Sequence, residues 1–236
     1  IMTMKTQFYS VLAAVMAFAA PMAAQSWAPA GDHIRTPWAE EVSPTNAHPE
    51  YPRPQMVRPE WKSLNGLWEY SITSKDSAQP ETFDGNILVP FAVESSLSGV
   101  GRTLTPGDAL WYKTTFKVPS AWKGKRLMLN FEAVDWQADV YVNDVQVGRH
   151  TGGYTHFSFD VTPYIKNGEN KLAVRVLDAT DNDIQPRGKQ VKNPKGIWYT
   201  AVSGIWQSVW IEPVAKAHIA DYYAVSDIKA GTLDVT

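Results

Sequence analysis

The sequence predicts an all-β fold in which two antiparallel sheets pack face to face. Three observations carry this prediction. Eight strand-like runs follow one another between residues 63 and 213, separated by polar or glycine-containing turns. Several of these runs alternate apolar and polar residues with period two. No stretch of a dozen residues sustains the 3.6-residue periodicity of an amphipathic helix.

The elements follow in chain order. From Met4, MKTQFYSVLAAVMAFAAPMAAQ sets Lys5 ahead of an apolar run and small residues ahead of Gln25. That is the pattern of a signal peptide, residues 1–24, with cleavage after Ala24. The run from Phe8 to Ala20 is too short to cross a bilayer comfortably, so no membrane segment is expected after cleavage. A Pro-rich lead-in over residues 25–59 follows. Four prolines in PEYPRPQMVRPEW (49–61) exclude helix and central strand, so this segment is expected to run extended along a surface.

The strand-like runs then begin with SLNGLWEYSIT (63–73), NILVP (86–90) and LWYKTTFKVP (110–119). They continue with RLMLNFEAV (126–134), ADVYVNDVQVG (138–148), HFSFDVT (156–162), NKLAVRVLD (170–178) and GIWQSVWIEP (204–213). In the fourth run Leu127, Leu129, Phe131 and Ala133 share one face. In the fifth, Val140 and Val142 share a face, and Asn143-Asp144 supplies a tight turn. Trp68, Phe131, Val140, Val142 and Trp206 are the expected core. The chain opens with Ile1 ahead of Met2 and Met4 and closes on an incipient strand-like alternation, so it is expected to be part of a longer protein.

Composition narrows the function. A net charge of −2 with both signs interspersed offers no basic field for nucleic acid. Cysteine is absent, so an exported chain of this kind is held by its core alone, without disulfides. Ten Trp and ten Tyr serve as core filler or as faces on which sugar rings stack. No phosphate loop, nucleophile elbow or metal-spaced histidine pair occurs, so no cofactor and no metal are expected. His33, His48, His150, His156 and His218 are scattered. His150, beside Gly152 and Gly153, is the one to watch, although an exposed turn histidine is the preferred reading. Paired carboxylates about 5–10 Å apart would suit glycoside chemistry. Neither Glu132 with Asp135 nor Asp178 with Asp181 and Asp183 has a pattern that singles out an acid and a nucleophile.

The longest polar segment, DATDNDIQPRGKQ (178–190), has almost nothing apolar to bury and is expected on the surface. It is either a solvated connector or the border of a site.

The ordered blocks LNGLWEY, VPFAVESSLSGVG, LWYKTTFKVP, NFEAVDWQADVYVNDVQVGRHTGGYTHFSFDVT, NKLAVRVLD and VSGIWQSVWIEP cover about residues 60–214. They resemble the N-terminal sugar-binding domain of glycoside hydrolase family 2, which includes β-galactosidases, β-glucuronidases and β-mannosidases. TPWAEEV and EYPRPQMVR resemble the lead-in of some secreted bacterial members. The resemblance implies a jelly-roll, galactose-binding-like sandwich over residues 60–214. It also implies that residues 215–236 start an immunoglobulin-like domain, and that a barrel outside this chain carries both catalytic glutamates of a retaining reaction.

No catalytic residue is therefore expected here, and the fragment alone is expected to be inactive. The parent is expected to be a bacterial enzyme of the periplasm or extracellular space, β-galactosidase-like, acting on a β-linked oligosaccharide or glycoside. A stand-alone carbohydrate-binding module or lectin is the alternative. The resemblance also implies that the loop before the last strand borders the sugar pocket. Here Asp183, Arg187, Lys189 and Gln190 would bind hydroxyls while Trp198 and Tyr199 offer stacking faces. Glu94 either binds substrate or ties down its own loop through backbone amides, and the structural role is the preferred one.

Overall fold

The computed structural model of the chain describes residues 27–32 and 34–236. The expected signal peptide and its cleavage point, and His33, lie outside the described residues. Sixteen strands are present among the described residues. In order they are β1 (Lys62–Ser63), β2 (Gly66–Ser74), β3 (Gly85–Val89), β4 (Asp108–Lys117), β5 (Arg126–Phe131), β6 (Val134–Asp135), β7 (Gln137–Val142) and β8 (Val145–Thr151). Then come β9 (Phe157–Asp160), β10 (Glu169–Leu177), β11 (Gln190–Val191), β12 (Tyr199–Thr200), β13 (Gly204–Ile205), β14 (Val209–Val214), β15 (Ala224–Asp227) and β16 (Thr232–Val235).

Two antiparallel sheets form the jelly-roll sandwich. One has the order β1-β14-β5-β9 and the other β3-β2-β4-β10-β7-β8. Each of the eight sequence runs overlaps at least one strand. Alternation places the inner faces: Leu127, Leu129 and Phe131 from one sheet meet Trp68, Tyr112, Val140 and Val142 from the other in a single core. Asn143 and Asp144 adopt φ of 51° and 69°, the left-handed pair that a two-residue hairpin turn requires.

Trp206, expected in the core, is only half-buried. It lies between β13 and β14, and its indole Nε1 donates to the Gly153 carbonyl at 2.8 Å. The core position nearby belongs to Ile205. Alternation also predicts that one face of β14 is solvated, yet all six of its residues are buried.

The proline-rich lead-in explains this. It lies against the outer face of β14, where Tyr51 packs edge-on to Trp210 with ring centroids 6.3 Å apart. The buried Glu212 carboxylate accepts from Tyr51 Oη at 2.8 Å, Arg58 Nε at 3.0 Å and Trp210 Nε1 at 3.1 Å. Burial and the Glu212 charge push the Tyr51 phenol up to about 12. A carboxylate here is tolerated because three donors replace its water.

Residues 215–236 leave the sandwich and end in the β15–β16 hairpin, whose residues are exposed.

Candidate functional site

Loops meet at the end of the sandwich where β10 leaves and β7 enters. Because β7 and β10 run antiparallel with Gln137 opposite Leu177, Asp135 and Asp178 emerge side by side. The long segment 178–203 then closes over this end and returns to β13. Asp135, Asp178 and the Glu94 of the β3–β4 connection are 2%, 3% and 7% exposed. Three carboxyls so nearly sealed must be held by donors or stay protonated.

Asp178 is fully engaged. Its Oδ1 accepts from Thr180 N at 2.7 Å and Gln185 Nε2 at 2.6 Å, and its Oδ2 accepts from Ser203 Oγ at 2.6 Å. Glu94 accepts from Ser203 N at 2.9 Å through Oε2, while its Oε1 is buried without a partner. Burial pushes Glu94 up to about 7; the Ser203 bond works against the rise and repulsion from Asp178 adds to it. Asp135 accepts from Gln190 Nε2 at 3.1 Å on Oδ2 and has a buried, unpartnered Oδ1. Burial and Asp178 also push it up to about 7, partly offset by Gln190.

Two glycines make this close packing possible. A β-carbon on Gly153 would collide with the Asp135 carboxylate. One on Gly204, which sits at φ +83°, would collide with the Tyr112 hydroxyl that accepts from Ile205 N at 3.1 Å.

The cluster is a lock for the loop and is not built as a glycosidase acid pair, because those carboxyls must flank an accessible bond. It corrects one expectation and extends another. The segment 178–190 is not wholly a surface feature: Asp178, Thr180 and Gln190 are buried, and only its middle is exposed. Glu94 anchors the returning chain at Ser203, just before β13, across 109 positions of sequence.

The six candidate sugar-contact residues divide. Gln190 faces inward, donating to Asp135 and to Tyr154 Oη at 3.0 Å and accepting from Val202 N at 2.6 Å. Its polar atoms are committed to the protein, so it positions the loop. Asp183 is exposed, and its Oδ1 accepts from Ile184 N at 2.7 Å.

The other four form two neighbouring pairs beside the short parallel ladder of β11 and β12, to which Tyr199 itself belongs. The Arg187 guanidinium lies 5.4 Å from the centroid of the Trp198 ring, and Lys189 Nζ lies 5.9 Å from that of Tyr199. Trp198 is 41% and Tyr199 61% exposed, so the aromatics point outward. Arg187 Nη1 also donates to the Asp181 carbonyl at 3.3 Å, which presets the guanidinium.

His150 is neither catalytic in setting nor an exposed turn residue. It is half-buried in β8, stacked on Phe157 at 4.1 Å, with Nε2 at 3.2 Å from both Gly152 O and Thr155 Oγ1. Burial lowers its pKa.

Comparison with known proteins finds relatives of the sandwich as a whole. The family described as "Glycosyl hydrolases family 2, sugar binding domain" matches residues 85–212. A beta-galactosidase of Thermoanaerobacter pseudethanolicus is 44% identical over 119 residues, 50% of this chain and 15% of that protein. Beta-galactosidase BoGH2A of Bacteroides ovatus is 32% identical over 180 residues, 71% of this chain and 20% of that protein. Among solved structures, a beta-glucuronidase of an uncultured Clostridium sp. superposes with a TM-score of 0.57 at 26% identity. That superposition covers 74% of this chain and 33% of that one. The chain thus corresponds to a fifth or less of these curated relatives.

Proposed function

From the premise that this chain belongs to glycosyl hydrolase family 2 through its sugar-binding domain, we propose that it is the substrate-contacting N-terminal portion of a larger, exported β-glycosidase. In this reading the parent hydrolyses O-glycosyl bonds with retention and takes a β-galactoside-like substrate. The catalytic carboxyl pair belongs to a separate domain, and residues 187–199 border the pocket. The observation that carries this reading is the pairing of outward Trp198 and Tyr199 with Arg187 and Lys189 within a matched sugar-binding domain.

The chemistry suits a sugar. A pyranose presents an apolar C–H face to an aromatic ring, and its hydroxyls accept from guanidinium or ammonium donors. The buried carboxyl lock below holds the loop so that these groups are set before the ligand arrives, which lowers the ordering cost of binding.

In the full-length enzyme, Arg187→Ala and Lys189→Ala are each expected to lower kcat/KM about ten- to a hundredfold, the loss of one charge-assisted contact. Urea denaturation is expected to change by no more than about 0.5 kcal/mol, since neither side chain packs in the core. Wild-type kcat/KM in both variants would make the segment a solvated connector.

Export has its own test. Lys5, the apolar run and the small residues before Gln25 predict a mature chain that begins near Gln25. N-terminal sequencing of secreted protein checks it, and retention of Phe8 to Ala24 overturns it.

A further inference from the structure

The outer face of the six-stranded sheet carries a cleft at the opposite end from the carboxyl lock. Its floor is Ala173 of β10. In register, Ala173 stands between Lys113 of β4 and Tyr141 of β7, so a methyl group sits between two long side chains and leaves a pit. The β2–β3 connection folds over one side and contributes the Phe83 ring. The cleft holds about 160 Å³. That is small beside the ~300–1,000 Å³ of sites that enclose drug-sized molecules, so it suits one ring rather than an oligomer.

The walls are preset. Lys113 Nζ lies 4.7 Å from the Phe83 ring centroid and 3.1 Å from Glu69 Oε2, which holds the ammonium at the cleft edge. Tyr141 is braced from below by Trp111, with ring centroids 5.9 Å apart at 33°. On the rim, Lys171 Nζ and Asp144 Oδ2 face each other at 3.6 Å, too far for a tight bond and suited to being bridged by hydroxyls. The cleft therefore alternates donors and acceptors around aromatic faces, and its two lysines are balanced by Asp144 and Glu81.

We propose that this cleft is a second carbohydrate-binding site, taking one neutral pyranose residue on the sheet face remote from the 187–199 loop. Aromatic walls receive the C–H face of the ring, and the lysine and carboxylate groups share its hydroxyls. A neutral ring is favoured over a uronate because the lining has no net positive charge to offset a ligand carboxylate. A second foothold on the same polysaccharide raises the local concentration of substrate at the primary loop without any new contact there.

Titrating the 15N-labelled chain with methyl β-D-galactopyranoside is expected to shift the amides of Lys113, Tyr141 and Ala173, saturating at millimolar ligand. Ala173→Leu, which fills the pit, is expected to abolish those shifts while the dispersed spectrum of the core remains. Phe83→Ala, on the connection outside the core, is expected to weaken binding about three- to tenfold, the loss of one aromatic contact. Methyl β-D-glucuronide is expected to bind more weakly than the galactoside.

No shifts at these three amides, shifts that persist in a folded Ala173→Leu variant, or unchanged affinity in Phe83→Ala would each overturn the site. Equal binding of the glucuronide would overturn the neutral-sugar assignment. Shifts confined to residues 187–199 would count against this cleft alone and leave the primary loop standing.

Discussion

Trp68→Ala is expected to cost about 3–5 kcal/mol of folding free energy, as truncation of a buried aromatic does when the surroundings cannot collapse into the space. Trp68 is 2% exposed on the inner face of β2, where its ring meets Tyr112 edge-on at 6.3 Å. Its Nε1 donates to the Leu64 carbonyl at 2.7 Å, so the change also strips a buried acceptor of its partner. Neighbouring strands are fixed by their ladders and cannot move in to fill the volume.

Phe131→Ala is expected to behave alike from the other sheet. Phe131 stacks on Phe157 at 4.9 Å and 9°, and Phe157 in turn carries His150. Urea denaturation at constant m-value measures both. A loss below about 1 kcal/mol in either would mean that the inner faces are assigned wrongly.

Raising the pH from 4 to 8 is expected to destabilise the chain through Glu94 and Asp135. Their ordinary values are 4.5 and 3.8, and each is raised to about 7 in the folded chain, first of all by burial. Between these limits the folded state binds more protons than the unfolded one, so stability falls with rising pH. The contribution is fully present below the unfolded values and is lost as pH passes through about 7. Each shift corresponds to a few kcal/mol, on the order of 3.

Glu94→Gln and Asp135→Asn keep the shape and remove the charge. Each is therefore expected to flatten the slope and to be more stable than the parent at pH 8. Denaturation midpoints at pH 4, 6 and 8 for parent and variants isolate these two groups from the other carboxyls. Parallel pH profiles in parent and double variant would show that the cluster does not take up protons on folding. Because Glu94 and Asp135 anchor Ser203 and Gln190, the same variants are expected to change hydrogen exchange first in residues 178–203.

The class, the strand runs and the two faces of most strands were legible in the residues, because apolar alternation is a local property that each segment carries without reference to its neighbours. Leu127, Leu129, Phe131, Val140 and Val142 illustrate this: each pairs a two-residue period with full or near-full burial. The outward Trp198 and Tyr199 and their cationic neighbours were also legible as chemistry, though not as pairs.

Tertiary structure decided the rest. Asp135 and Asp178 fall in separate segments that suggest separate clusters. The antiparallel register of β7 and β10 brings them together, and the return of the chain at Ser203 adds Glu94. Gln190 reads as a hydroxyl-binding side chain by type, but the β11–β12 ladder turns it inward. Trp210 and Glu212 on an alternating strand are buried because a lead-in more than 150 residues earlier covers them, bringing Tyr51 and Arg58 to the carboxylate. Local sequence determines which surfaces a segment can present. Which of those surfaces is left for a ligand depends on what the chain brings from a distance to cover them, because burial and hydrogen-bond satisfaction are settled only between segments.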